Sequence, residues 1–97
     1  MSQIFKELEQ IIAERQKQNE PRFYTCRLLT EGTLVERKVN EEAYELIEAA
    51  FKGQKGEILY EATDLIFHFL VLLRKYGISL EDIEKELLKR RKDNENN

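Results

Sequence analysis

Apolar residues recur at helical spacing in four stretches of the chain. Ile4, Phe5, Leu8, Ile11 and Ile12 share one face and predict a first helix over residues 3–17, ended by Asn19, Glu20 and Pro21. Residues 22–32 show no clear period and read as an irregular, mostly extended connection with room for one short helical turn. Thr33 followed by Glu36 is a capping-box pattern and opens a second helix that runs to Phe51 and stops near Gly53. Its apolar stripe is Val39, Ala43, Leu46, Ile47, Ala50 and Phe51, with Glu41, Glu42, Glu45 and Glu48 on the opposite arc.

A short break, residues 53–56, predicts an antiparallel hairpin with a third helix over residues 56–76. Beyond Asp64 that helix is apolar on every side except His68, the mark of a helix buried all round. So short a chain scarcely surrounds it alone, which predicts a covering second subunit. Gly77 stops it, and Ser79 with Asp82 caps a fourth helix carrying Leu80, Ile83, Leu87 and Leu88 inward. The expected fold is therefore an all-α four-helix bundle completed by homo-oligomerisation. Residues 1–92 form one domain and residues 93–97 a polar, disordered tail.

Length sharpens the oligomer expectation: 97 residues bury only roughly two thirds of their unfolded surface, so a lone core is thin. A net charge of −3 argues against nucleic-acid binding, which needs a basic footprint. Cys26 is the single cysteine, so no intrachain disulfide forms. With no apolar run near 18 residues and no leader pattern, the expectation is a cytoplasmic protein without membrane contact.

The candidate chemistry lies in the acids. Glu42 and Glu45 on the second helix, and Glu61 and Asp64 on the third, each stand at i, i+3 and aim two carboxylates at one point. The alternative is a solvated face, and the fourth helix shows what that looks like: Glu81 with Lys85 and Glu86 with Arg90 pair opposite charges at i, i+4. The acidic helices instead stack like charges, with Glu41, Glu48 and Glu57 adding to the quartet. At roughly 0.2–0.5 kcal/mol per like-charge pair, five such contacts cost the fold about 1–2.5 kcal/mol. Oxygen-only donors select Mg²⁺, Mn²⁺ or Ca²⁺, and Mg²⁺ typically bridges to substrate phosphates.

Around that centre, Lys38, Arg22 and Arg27 are candidate phosphate contacts, Lys38 alternatively serving in a salt bridge to Glu41 or Glu42. Tyr24 and Thr25 offer hydroxyls to a substrate or serve as packing and turn residues. His68 is either a buried imidazole hydrogen-bonded to Asp64 or a facing helix, or an outer partner or general base of the site.

These residues carry a resemblance. Lys38-Val39 before the double glutamate, then Glu61-Ala62-Thr63-Asp64-Leu65 with His68 and Leu70-Val71-Leu72-Leu73, resemble the phosphoribosyl-ATP pyrophosphatase family of histidine biosynthesis. More broadly they resemble the MazG-like all-α nucleoside triphosphate pyrophosphatases. Tyr24-Thr25 with Leu28 also match a family signature, while Phe23 and Asn40 depart from it where Ser and Gly are usual. The resemblance implies a helical homodimer or tetramer and Mg²⁺-dependent cleavage of phosphoribosyl-ATP to phosphoribosyl-AMP and pyrophosphate. Glu42, Glu45, Glu61 and Asp64 then hold the Mg²⁺, for which Mn²⁺ substitutes. Glu41 or Glu48 takes the proton of the attacking water, and Lys38, Tyr24, Thr25, Arg27 and His68 form the substrate side. The rival readings are a housekeeping nucleotide pyrophosphatase of the same fold and a non-enzymatic helical interaction module. A di-iron bundle would need Glu-x-x-His motifs, which this chain lacks.

Overall fold

The computed structural model describes residues 2–96 and contains helices only among them: α1 Gln3–Gln18, α2 Tyr24–Thr30, α3 Leu34–Lys52, α4 Lys55–Lys75 and α5 Leu80–Asn96. The all-α expectation holds, with one element more than the sequence predicted. Residues 24–30, read as mostly extended, form two turns of helix. No periodicity announces α2 because so short a helix is set by tertiary packing. Cys26, Leu28 and Leu29 are buried, and the Cys26 thiol donates to the Arg15 carbonyl at 3.0 Å. The Arg15 guanidinium lies 3.7 Å over the Phe23 ring at the helix entrance.

Local chemistry sets most boundaries. Asn19 ends α1 in the left-handed region (φ 48°, ψ 48°), its N–H donating to the Arg15 carbonyl. Gly53, at φ 69°, closes α3, and its N–H reaches the Ala49 and Ala50 carbonyls. At the end of α4, Ile78 N–H donates to the Leu73 carbonyl and Gly77 N–H to that of Arg74. With Gly77 at φ 72°, this is a Schellman motif. The expected capping box on α5 is present: Asp82 N–H donates to Ser79 Oγ at 3.1 Å, and Ser79 N–H to Asp82 Oδ2 at 2.9 Å.

The box expected at Thr33 and Glu36 is not formed, since Thr33 makes no side-chain cap. Glu36 is taken instead by α4 and the turn after it, accepting from Lys75 Nζ at 2.8 Å and from the Tyr76 hydroxyl. Those donors hold its carboxyl down at about 2. A charge-assisted pair between helices outcompetes a local cap.

The core gathers Ile12, Leu28, Leu29, Val35, Leu70, Val71 and Leu80, with Phe5, Leu8, Leu34, Phe67 and Leu72 packed against it. It therefore sits at one end of the α3–α4 hairpin, where the start of α3 and the end of α4 meet α1 and α2. Among the described residues, no third layer covers the other half of the hairpin. Three expectations change in consequence. Ile47 (55% exposed) and Phe51 (87%) face outward, although both belong to the predicted inward stripe of α3. Ile66 and Phe69 open one side of the segment read as buried all round, and Leu87 and Leu88 are not inward in the single chain. Only the start of α5 docks, through buried Leu80, whose N–H donates to Glu9 Oε2 at 2.8 Å. Residues 93–96 continue α5 as helix, and Asn97 lies outside the described residues.

Candidate acid centre

Antiparallel packing of α3 on α4 sets a simple register: three residues along one helix match three back along the other. Fully buried Val35 and Val71 meet in the core, and the same register places Glu42 against Asp64 and Glu45 against Glu61. The four acids singled out by spacing are thus brought together from two helices. One oxygen each from Glu42, Glu45 and Glu61 lies within 4.8 Å of the others. Asp64 falls outside that triple and is hydrogen-bonded side chain to side chain with Glu42.

Glu42 is the surprise. The apolar stripe of α3 put it on an outer arc, yet it is only 6% exposed, on the inner face with Val35 and Ala49. The partner helix chose that face, rather than the widest run of apolar side chains. Burial raises its carboxyl to about 7, with the charges of Asp64, Glu45 and Glu61 adding to the effect. Burial also raises Glu61, followed by its hydrogen bond to Glu45. Even so, Glu61 Oε2 is buried without a hydrogen-bond partner.

The other predicted residues divide. Glu48 lines a cleft of about 190 Å³ with Glu45, Ala49, Lys52, Glu57 and Glu61. Glu41 is exposed on the outer side of α3, 3.5 Å from Lys38. Tyr24, Lys38 and Arg27 share one neighbourhood: burial raises the Tyr24 phenol, while the Lys38 charge opposes that rise more strongly than Arg27 does. Arg27 donates to the Pro21 carbonyl at 2.9 Å, and Arg22 pairs with Glu20. Thr25 is half-buried beside Tyr24 on α2. His68 is buried, with Glu42 against Nδ1 and the Tyr24 hydroxyl 2.8 Å from Nε2.

Sequence reasoning passed over Lys52, the one cation among the residues lining this cleft. Its position one turn after Glu48 and two after Glu45 was the available signal. A larger concavity of about 340 Å³ lies along α5 against Leu87 and Leu88, but no converging acids line it.

The all-α hairpin thus gathers four carboxylates beside a cleft, an arrangement suited to a hard divalent cation. Residues 5–91 match the family model for phosphoribosyl-ATP pyrophosphohydrolase, and the chain belongs to that family. It is 43% identical over 91 residues to the phosphoribosyl-ATP pyrophosphatase of Pyrobaculum aerophilum, covering 93% of this chain and 97% of the relative. The enzyme of the same name from Dechloromonas aromatica is 40% identical over 88 residues, which is 90% of this chain and 82% of the relative. The histidine biosynthesis bifunctional protein HisIE of Vibrio parahaemolyticus is 40% identical over 87 residues, 89% of this chain but 41% of that longer protein.

Proposed function

We propose that this chain hydrolyses the α–β phosphoanhydride of phosphoribosyl-ATP, giving phosphoribosyl-AMP and pyrophosphate in histidine biosynthesis, with Mg²⁺ held by Glu42, Glu45, Glu61 and Asp64. One observation carries the reading: four carboxylates face one another across a hairpin, with a buried Glu61 oxygen that no hydrogen bond satisfies. A carboxylate in that position needs a proton or a cation. The all-oxygen donor set fits a hard divalent ion, with Mn²⁺ as a substitute. When bound, Mg²⁺ neutralises charge on the triphosphate and polarises the anhydride.

The chain's own groups do the rest. Glu48 stands in the cleft beside Glu45 and Glu61 and is the better placed of the two candidate bases, Glu41 being drawn outward to Lys38. Lys38 and Arg27, near Tyr24, offer positive charge to phosphates beyond the cation, and Lys52 offers it from the cleft lining. The test is a pyrophosphate-release assay with phosphoribosyl-ATP, ATP and dCTP. A kcat/KM for phosphoribosyl-ATP at least about 10²-fold above both nucleotides is expected, corresponding to nearly 3 kcal/mol of discrimination. Equal rates would point to a housekeeping pyrophosphatase, and no release from any substrate would sink the enzymatic reading.

Self-association belongs to the same proposal, as does a cytoplasmic location. Among the described residues no helix is long and apolar enough to cross a membrane. A 190 Å³ cleft is small beside the roughly 300–1,000 Å³ of ordinary ligand sites, which favours a pocket completed by a second copy. Tyr44, Ile47 and Phe51 on α3, and Leu59, Ile66 and Phe69 on α4, form exposed stripes at helical spacing that suit such a partner. Sedimentation equilibrium is expected to give a dimer or tetramer, shifted toward monomer by Ile47→Glu with Phe51→Glu. A wild-type monomer at micromolar concentration would remove this part of the reading.

A further inference from the structure

His68 sits where its two nitrogens meet different elements. Nδ1 faces a Glu42 carboxylate oxygen from α3 and lies 3.0 Å from the Asp64 carbonyl oxygen of its own helix. Nε2 lies 2.8 Å from the Tyr24 hydroxyl on α2, 44 residues away in sequence. The ring is 8% exposed and held edge-on between Tyr24 (centroids 5.8 Å apart, 85° between planes) and Phe67 (5.1 Å, 79°). The Asp64 carbonyl oxygen can only accept. An imidazole without a proton there would set a lone pair against that carbonyl oxygen, so the proton belongs on Nδ1. A neutral ring then accepts from the Tyr24 hydroxyl, which has a proton to give. Both nitrogens are thereby engaged within the protein, and substrate has no free ring atom to meet.

We propose that Tyr24 and His68 form a relay that orients Glu42 for the cation, making His68 a positioning residue of the acid centre. The relay rests on the cation reading above. Tyr24 fixes which nitrogen carries the proton, Nδ1–H holds one Glu42 oxygen, and the other oxygen is left facing Asp64 and the cluster. Outer partners of this kind fix ligand orientation, and their loss typically costs about 10–100-fold in metal affinity. The relay also explains why α2, which contributes no carboxylate to the cluster, is tied to the centre. Its inward face is anchored in the core by Leu28 and Leu29, and its Tyr24 reaches across to α4.

The chain has one histidine, so a ¹⁵N-labelled sample gives a single imidazole spectrum. A protonated Nδ1 in the metal-free wild type is expected, and an Nε2–H tautomer with bare Nδ1 would overturn the relay. Mn²⁺ affinity, followed by electron paramagnetic resonance, supplies the second readout. His68→Asn restores a donor near Nδ1, whereas His68→Gln carries its amide out toward the Nε2 side. His68→Gln is expected to weaken Mn²⁺ by about 10–100-fold, with His68→Asn recovering most of the loss. Tyr24→Phe, a partly exposed site with little risk to folding, is expected to move the Nε2 resonance and weaken Mn²⁺ less. A purely structural role would lower both His68 melting temperatures and leave the two affinities alike, which would refute the proposal. Glu45→Gln separates the two levels. If it binds Mn²⁺ as wild type does, the cation site itself falls and takes the relay with it. Loss of binding in Glu45→Gln with full binding in His68→Gln removes the relay alone.

Discussion

Glu45→Gln is expected to lower phosphoribosyl-ATP turnover by about 10²–10⁴-fold while raising the melting temperature of the metal-free protein. Both halves follow from one side chain. Glu45 has Glu41, Glu42 and Glu48 as like-charged neighbours on α3, and Glu61 across the hairpin. Burial and the nearby Glu45 carboxylate raise the Glu61 carboxyl. A glutamine amide can donate to the Glu61 carboxylate, and it removes one charge from the cluster. The same change removes the anionic oxygen that the cation needs, so stability and activity move in opposite directions. Most substitutions destabilise, which makes a rise in melting temperature a pointed signature of a functional cluster. Glu86→Gln on α5, which loses only an exposed pair with Arg90, should change neither quantity. Normal turnover in folded Glu45→Gln would falsify the assignment of the acid centre.

The parts of this centre that were legible in the sequence are those fixed by local geometry. Helix periodicity makes i, i+3 acids neighbours, and the short connection after Gly53 makes α3 and α4 antiparallel, so the meeting of Glu45 with Glu61 follows from spacing. The burial of Glu42 does not follow. Ile47 and Phe51 made another face of α3 look like the inside, yet both stand exposed. α2 was illegible because seven residues hold too few turns to display a period, and its helix depends on Arg15, Phe23 and the core. Tyr24 and His68 could each be picked out as chemically interesting, but nothing local says that residues 44 positions apart share a hydrogen bond. The Thr33–Glu36 cap failed for a related reason: Lys75 and Tyr76, distant in sequence, compete for the same carboxylate.

Millimolar Mg²⁺ is expected to raise the melting temperature by about 10–20 °C at pH 8, with the increment shrinking steadily as pH falls below 7. At a hundredfold excess over Kd, a bound ion stabilises the folded state by about 2.7 kcal/mol, and each kcal/mol is worth about 4–8 °C in a domain of this size. The pH dependence comes from Glu42, whose folded-state value near 7 stands above the ordinary 4.5 because burial and the facing Asp64, Glu45 and Glu61 disfavour its charge. For an acid raised by folding, the native state binds the proton more tightly than the unfolded chain does. Its stabilising contribution is therefore complete below about 4.5 and is lost as pH rises through about 7. Metal-free protein should accordingly melt higher near pH 5 than near pH 8. Mg²⁺ acts on the ionised cluster and competes with that proton, so the two melting curves, far apart at pH 8, should converge toward pH 5. Scanning fluorimetry across this range, with and without Mg²⁺, measures both slopes at once. Indifference to Mg²⁺ at pH 8, or a metal-free stability that climbs through pH 7, would mean that protons and cation do not share these carboxylates.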